Sequence, residues 1–450
     1  MKASVSEIKI LLINPWIEDF SAFDLWIRPL GLLRLGRLLI ENGFKVSLFD
    51  CLSSMSGKFK KAPRRLAGFG CSHYEQEEIE KPDLLKFVPL RYKRFGISIE
   101  EFRQNIIREK PDLIIIGTIM TYWYTGSEKV ISCCKELFPD TPVLMGGVYP
   151  QLCAEYAVTN SLADKVFTTE GFNECLDFIC EYFKTEKKFS YESEKYLSPA
   201  YELLSDKSVI PLLMSTGCPF KCAYCASHRI YKNFSIYPYE LLIYDIKKCV
   251  QEYKSKNFVF YDDALLANNK ENFISFCEGI IKNKLSINFH LPNAVHACFI
   301  DENIAKMFKK AGFKTIRLGL EFSDQASINA SGGKITISDY MKALVNLKEA
   351  GFTKDEIGTY LLYGYPYQRT EEVKKAADFI SSNGSLVKLT MYSPILGTQA
   401  WGKDFDDYIF DPSLDPLLTN NSLTPFRSKR NSYEEYRKLK IYINELNKKI

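Results

Sequence analysis

Apolar and polar positions along this chain fall into two series in which short apolar runs alternate with amphipathic stretches. In the first series, Ile8–Ile13 is an apolar run that ends at Asn14–Pro15. Leu30–Glu41 has helical spacing and stops at Asn42–Gly43, residues suited to a helix end. Lys45–Phe49 predicts a second strand ending at Asp50, and Leu113–Ile116 a buried one. Pro142–Leu144 runs into Gly146–Gly147, and Lys165–Thr168 is a last short strand. Helices are expected over Ile99–Arg108, Glu128–Leu137 and Asn173–Phe183, while residues 52–98 are polar, irregular and Lys-rich, as an insertion or a lid would be. This alternation predicts an α/β chain whose residues 1–185 form a doubly wound, Rossmann-like parallel sheet.

Residues 186–205 are polar and broken, and read as a linker. The second series begins at Val209, with strands expected near 209–214, 256–260, 286–290, 314–319, 356–362 and 387–392. Helices are expected between them, among them Glu240–Glu252, Glu302–Ala311, Ser338–Ala350 and Glu371–Ser382. Six units are too few for a closed eight-fold barrel, so residues 206–400 predict a partial (β/α)6 barrel of the TIM type. Residues 401–450 form an extension ending in a charged helix, Tyr433–Lys448.

Composition changes this picture little. The 450 residues carry 59 basic and 55 acidic side chains and a net charge of +4, without the dominant basic stripe of a dedicated nucleic-acid domain. Lys58, Lys60, Lys61, Arg64 and Arg65 are locally basic, as a solvated loop or as an anion or partner contact. Met1–Ile10 has no long apolar core and no run of about 18 apolar residues occurs, so no membrane span and a cytoplasmic location are expected. The 13 cysteines are odd in number in a long chain without secretory features, which favours metal or redox use over disulfides.

The chemistry concentrates at Cys218, Cys222 and Cys225, a C-x3-C-x2-C array just after the strand ending at Met214. Closely spaced thiolates let one loop wrap an iron–sulfur cluster, and three ligands on a four-iron cube leave one iron open. Gly217 and Pro219 shape a tight loop, and Tyr224 is placed to cover the adenine of a bound nucleoside. The competing reading is a zinc ion completed by His228.

From about Ile210 to Trp401 the chain resembles the radical S-adenosylmethionine (SAM) superfamily. The resemblance implies a 4Fe-4S cluster whose unique iron binds the amino and carboxylate groups of SAM. It implies reductive cleavage of SAM to methionine and a 5′-deoxyadenosyl radical that abstracts hydrogen from an unactivated carbon. An electron donor such as flavodoxin or ferredoxin is then expected as a partner, and a small-molecule or peptide substrate that no residue pattern names.

The carboxyl ends of the expected strands supply the remaining candidates, because ligand groups of barrels gather there. Asp262 and Asp263 follow the second strand and resemble the position that pairs with the SAM amino group; capping of the next segment is the alternative. The third strand ends at His290, with Asn293 and His296 close behind. Asn293 is a cofactor candidate and both histidines are catalytic ones, against the plainer reading of structural histidines. The fourth carries Arg317, a catalytic candidate, and Glu321, which resembles the acid reaching the ribose and methionyl parts of SAM; a mutual ion pair of the two or a fold-stabilising network inside the barrel is the alternative. The fifth ends at Gly364, where missing side-chain bulk permits close approach to adenine. The sixth runs into Pro394, Gly397 and Thr398, similar to the family's closing turn.

The first series lacks the G-x-G-x-x-G of a dinucleotide site, having Asn14–Pro15–Trp16 at that turn. It resembles instead the cobalamin-binding domain that precedes many radical SAM barrels, through Ile10–Pro15, Arg28–Gly31, Pro111–Asp112, Gly146–Gly147 and Glu170–Gly171. Cofactor contacts are expected from Asn14, Pro15, Thr118, Trp123, Gly146, Gly147 and Glu170, at the carboxyl edge where strand order reverses. The D-x-H-x-x-G motif that supplies a cobalt ligand is absent, and His73 is the sole histidine of the domain. The expected function is a cobalamin-associated radical SAM enzyme, with a methyltransferase as its leading form. The alternatives are a front domain serving only as a substrate or partner platform, and a zinc or regulatory binder without turnover.

Overall fold

In the computed structural model, residues 5–53, 69–192 and 195–449 are described. The basic stretch Lys58 to Arg65 lies outside them. The chain divides into two compact units, Met1–Lys207 with Leu414–Leu418, and Ser208–Ser413 with Thr419–Ile450.

The first unit is built on five parallel strands: β1 (Lys9–Asn14), β2 (Lys45–Asp50), β3 (Leu113–Thr118), β4 (Val143–Gly147) and β5 (Lys165–Val166). Their order is β2-β1-β3-β4-β5, so the direction of winding reverses between β1 and β3. Ile10, Leu12, Leu113, Ile115 and Leu144 are buried with Leu32, Leu35, Leu38, Leu39, Leu176 and Ile179 in one cluster. Strands covered by helices are apolar nearly throughout, which is why these runs were legible as strands. The helix Leu30–Glu41 occupies the expected residues.

Two features of this unit differ from expectation. Residues 93–95, inside the stretch read as irregular, pair antiparallel with Ile17–Asp19 on one side and with residues 76–78 on the other, making a three-stranded sheet. Gln76–Glu78 is exposed at all three positions, so it shows no alternation of apolar and polar side chains. The segment read as a linker packs on the helix Leu30–Glu41. Arg37 reaches Ser198 O and the Glu202 carboxylate, and Asn42 Oδ1 accepts from the Lys188 and Phe189 amides. Leu414–Leu418 belongs to this unit through Asp415, which accepts hydrogen bonds from the Tyr124 and Tyr156 hydroxyls.

The second unit holds six parallel strands in chain order: β6 (Val209–Leu212), β7 (Asn257–Phe260), β8 (Asn288–His290), β9 (Phe313–Glu321), β10 (Ile357–Tyr363) and β11 (Leu386–Met391). A layer of phenylalanines, Phe258, Phe260, Phe289 and Phe313 from strands with Phe273, Phe276 and Phe308 from helices, joins sheet to helices. Asp301 caps the helix Glu302–Ala311 by accepting from the Ile304 amide, and Gly312 ends it at φ +97°. The terminal helix Tyr433–Lys449 covers the edge of β11: Asn447 accepts from Val387 N at 2.8 Å and donates to Val387 O at 2.9 Å. Such a cover satisfies a strand edge that otherwise invites pairing with other chains.

Candidate functional site

The three-cysteine loop leaves β6 through Ser215–Thr216, which pairs antiparallel with Ser235–Ile236. Gly217 stands at φ +76°, and a Cβ there would lie 2.7 Å from Asn233 O, so the turn into Cys218 requires glycine. Four further contacts hold the loop. The Asp262 carboxylate accepts from the Met214 and Ser215 amides and the Ser215 hydroxyl. Asp263 accepts from the Ser227 hydroxyl at 2.5 Å. Ala223 donates its amide to Ser331 O at 2.8 Å and accepts from the Ala400 amide at 2.9 Å. Gly332, at φ +128°, leaves only 3.0 Å between its would-be Cβ and the Cys222 Cα.

Cys218, Cys222 and Cys225 are half-buried and unbridged. Burial raises all three thiols, Cys218 to about 11, and Asp263 and the neighbouring cysteines push Cys218 and Cys225 further the same way. The thiols therefore influence one another, and the Lys334 ammonium, which lowers Cys222 and Cys225, does not offset their burial. A metal group supplies further positive charge, and thiolates are the donors an iron–sulfur cluster takes. Among the described residues no three His, Cys, Asp or Glu side chains converge as a single-ion site. His228, the fourth ligand of the zinc alternative, is exposed. Three thiols on one short loop are a donor set that suits an iron–sulfur cluster.

Around the loop stands a wall the sequence reading only partly anticipated. Tyr224 meets Tyr365 edge-on at 6.2 Å, and Tyr365 in turn meets Phe322 and Tyr392 edge-on. Lys334 was missed: its ammonium lies 2.9 Å from Glu321 Oε1 and 3.3 Å from the Tyr224 hydroxyl. Burial works against the Lys334 charge, but Glu321 and the Cys222 thiol outweigh it and raise the ammonium pKa. Glu321 sits at φ +60° where the β9–β10 register slips, a strained backbone of the kind found where a side chain is aimed for function. The expected alternative of an Arg317–Glu321 pair is thus corrected: the partner of Glu321 is Lys334.

The other candidates divide. Asp262 caps no helix; it fastens the start of the cysteine loop, and burial pushes its carboxyl up to about 7. Asp263 faces Cys218 and Cys225. Asn293 donates to Tyr261 O at 2.9 Å, tying the turn after β8 to the end of β7. His296 stacks on Phe220 of the cysteine loop at 4.5 Å, and burial with the Lys334 charge holds its pKa down to about 3. His290 is placed elsewhere. It is fully buried opposite Thr315 in the register, between Asn257 Oδ1 and Thr315 Oγ1, and Thr315 stands six positions before Glu321 on its strand. Burial lowers its pKa to about 3. Arg317, two positions beyond Thr315, is buried and donates to Ile316 O. Gly364, at φ +82°, makes room for the Thr424 side chain, whose Cγ2 a Cβ there would overlap. Thr424 is held there by donating its hydroxyl to Tyr392 O at 2.6 Å.

In the first unit Asn14 and Thr118 end the two strands between which the winding reverses, Gly146–Gly147 end the next strand, and Glu170 follows the edge strand β5. Asn14 donates to the Asp50 carboxylate at 2.7 Å. Pro15 is buried between Asn14 and Trp16. Trp123 donates its indole N–H to Asp19 at 2.8 Å. Thr118 donates to Gly146 O at 2.9 Å, and Gly147 at φ +108° presses against the Thr118 backbone. Gly146 has open space around its would-be Cβ except for Phe167 at 3.8 Å. Glu170 is half-buried just before Gly171, a left-handed residue at φ +60°.

Residues 212–380 match the radical SAM superfamily model. An anaerobic magnesium-protoporphyrin IX monomethyl ester cyclase from Rubrivivax gelatinosus is 23% identical over 357 residues, 70% of this chain and 63% of that protein. The enzyme of the same name from Cereibacter sphaeroides is 28% identical over 290 residues, 56% of this chain and 47% of that one. The chain thus spans less than two thirds of either cyclase. An uncharacterized methyltransferase of Pyrococcus horikoshii is 27% identical over 336 residues, covering 68% of this chain and 72% of its own. Among solved structures, the radical SAM methyltransferase TsrM from Kitasatospora setae, with tryptophan substrate and a SAM analog bound, superposes with a TM-score of 0.65 at 12% identity over 88% of this chain and 76% of its own. The cobalamin-dependent SAM radical enzyme OxsB, with aqua-cobalamin and SAM bound, gives 0.60 at 15% identity over 95% and 57%. At these identities the likeness is one of fold. No described helix is long and apolar enough to cross a membrane.

Proposed function

We propose that this chain, whose residues 212–380 match the radical SAM superfamily, is an enzyme that cleaves SAM at a 4Fe-4S cluster and uses cobalamin in its front unit to transfer a methyl group. The observation that carries the proposal is the loop that presents Cys218, Cys222 and Cys225 at the carboxyl ends of the barrel strands, fastened by Asp262, Asp263, Ser331 and Ala400. When bound, such a cluster supplies the electron that splits SAM into methionine and a 5′-deoxyadenosyl radical. The residues' own part is to hold and shield. The Lys334 ammonium offers a fixed cation to the SAM carboxylate, and the Glu321 and Asp263 carboxylates offer acceptors to its amino and ribose groups. Tyr224 and Tyr365 give the adenine an apolar wall and exclude water. His296, neutral at working pH, packs the loop.

The front unit supports cobalamin binding by its strand order and its open edge at Gly146, and by relatives and structural neighbours described as methyltransferases or cobalamin-dependent. A platform without cobalamin is favoured by one observation: Asn14, Thr118 and Trp123 all have protein partners. The test is anaerobic reconstitution with iron and sulfide, then assay of bound corrinoid and of reductant-dependent 5′-deoxyadenosine. Wild type is expected to show cluster absorbance and nucleoside release, and Cys218→Ala, Cys222→Ala and Cys225→Ala to lose both. Retained cleavage in any of the three would refute the assignment.

A further inference from the structure

A one-electron step needs a donor, and the loop that carries the cysteines has a charge pattern of its own. From Lys207 to Tyr239 the sequence contains no Asp or Glu. In that stretch Lys221, His228, Arg229 and Lys232 are all exposed. Lys221 lies between Cys218 and Cys222, and the other three follow Cys225 by three, four and seven positions. No described acidic side chain pairs with Lys221, Arg229 or Lys232, whereas Arg37, Arg94, Lys309 and Arg430 elsewhere on the chain each meet a carboxylate. Asp263, the carboxylate beside the loop, is half-buried and engaged by the Ser227 hydroxyl. Arg229 is partly committed, lying against Gly397 and donating to its carbonyl at 3.4 Å. Lys221 and Lys232 have no such task.

Unpaired like charges on a short loop raise its local potential and oppose its own compactness. Such a feature favours an oppositely charged surface that approaches the same loop. We infer that Lys221 and Lys232, with Arg229 and His228 beside them, form the docking patch for an acidic one-electron carrier protein that reduces the cluster. This rests on the radical SAM reading and adds to it the place where the electron donor docks. The reduced carrier, a flavin or iron–sulfur protein, gives up one electron and leaves oxidised by one. Docking on the cysteine loop itself keeps the electron's path short. Complementary charge acts on encounter: it raises the association rate steeply at low salt and is screened at high salt.

The experiment uses the full-length reconstituted protein and its K221E/K232E variant. Reduction is by reduced flavodoxin in one arm and by dithionite with methyl viologen, a small cationic mediator, in the other. With flavodoxin at about 50 mM salt, charge reversal is expected to slow cluster reduction and 5′-deoxyadenosine formation roughly tenfold or more, and the gap is expected to close to about twofold near 0.5 M salt. With methyl viologen, wild type and variant are expected to agree within about twofold. Equal rates with flavodoxin at low salt overturn the docking patch. An equal loss in both arms overturns it too, because the lysines then serve the loop rather than the carrier. Failure of wild type to release 5′-deoxyadenosine with methyl viologen refutes the radical SAM reading instead, so the two failures are distinct.

Discussion

Asp262 sits where burial and hydrogen bonding pull in opposite directions. Burial favours the neutral acid, while two amides and a hydroxyl favour the carboxylate, and burial prevails at about pH 7. Its pKa in the folded protein is therefore raised, so the folded state binds this proton more tightly than the unfolded chain does. The contribution is fully present below about pH 4 and is lost as pH rises toward 7, by an amount on the order of 4 kcal/mol. Denaturant midpoints at pH 5 and pH 8 check this: Asp262→Asn is expected to narrow the wild-type difference between them, with Asp24, Asp50 and Asp263, also raised by burial, supplying the remainder. Lys334 is the complementary case, a buried cation with a carboxylate partner. Lys334→Met is expected to weaken SAM binding at least tenfold in equilibrium titration while cluster absorbance persists. An unchanged affinity removes it from the site. Lys334 escaped the sequence reading because a single Lys after two glycines has no spacing pattern. The cysteines were legible because their spacing is the signal.

At the scale of elements, the strand–helix rhythm was readable wherever burial imposes a period, and the helices Leu30–Glu41 and Glu302–Ala311 occupy the residues expected. It failed at Gln76–Glu78, where pairing comes from distant partners and no face is buried. Gly364 shows a subtler limit. A glycine at a strand end was legible, but the neighbour it makes room for, Thr424, lies sixty positions later. Gly364→Ala combines left-handed strain of roughly 1–2 kcal/mol with a collision at Thr424 Cγ2. Its cost is expected to be about 2–4 kcal/mol in urea unfolding. Adding Thr424→Ser, which keeps the hydroxyl and removes the methyl, is expected to recover the collision part only. Full recovery would show that the backbone angle carries no strain.

At the scale of the whole molecule, each unit has its own sheet, core and candidate site, and the front unit has a strand order without the motif that would supply a cobalt ligand. Protein purified from cobalamin-replete cells is expected to carry about one corrinoid per chain, with an absorption spectrum lacking histidine ligation. A corrinoid-free protein that still cleaves SAM would assign the front unit to the platform role. Composition could not decide this, because a weakly ligated corrinoid rests on backbone shape more than on residue identity.

The hydrogen bonds on either side of Ala223 carry a consequence for biogenesis. One partner, Ser331, follows β9, and the other, Ala400, follows the last barrel strand. While the ribosome has yet to release Ala400 from its exit tunnel, the cysteines stand on a loop missing one of its fastenings. Iron delivered during translation would meet an unfinished cradle, so metallation of this chain belongs after synthesis of the barrel, when its opening and closing segments have met.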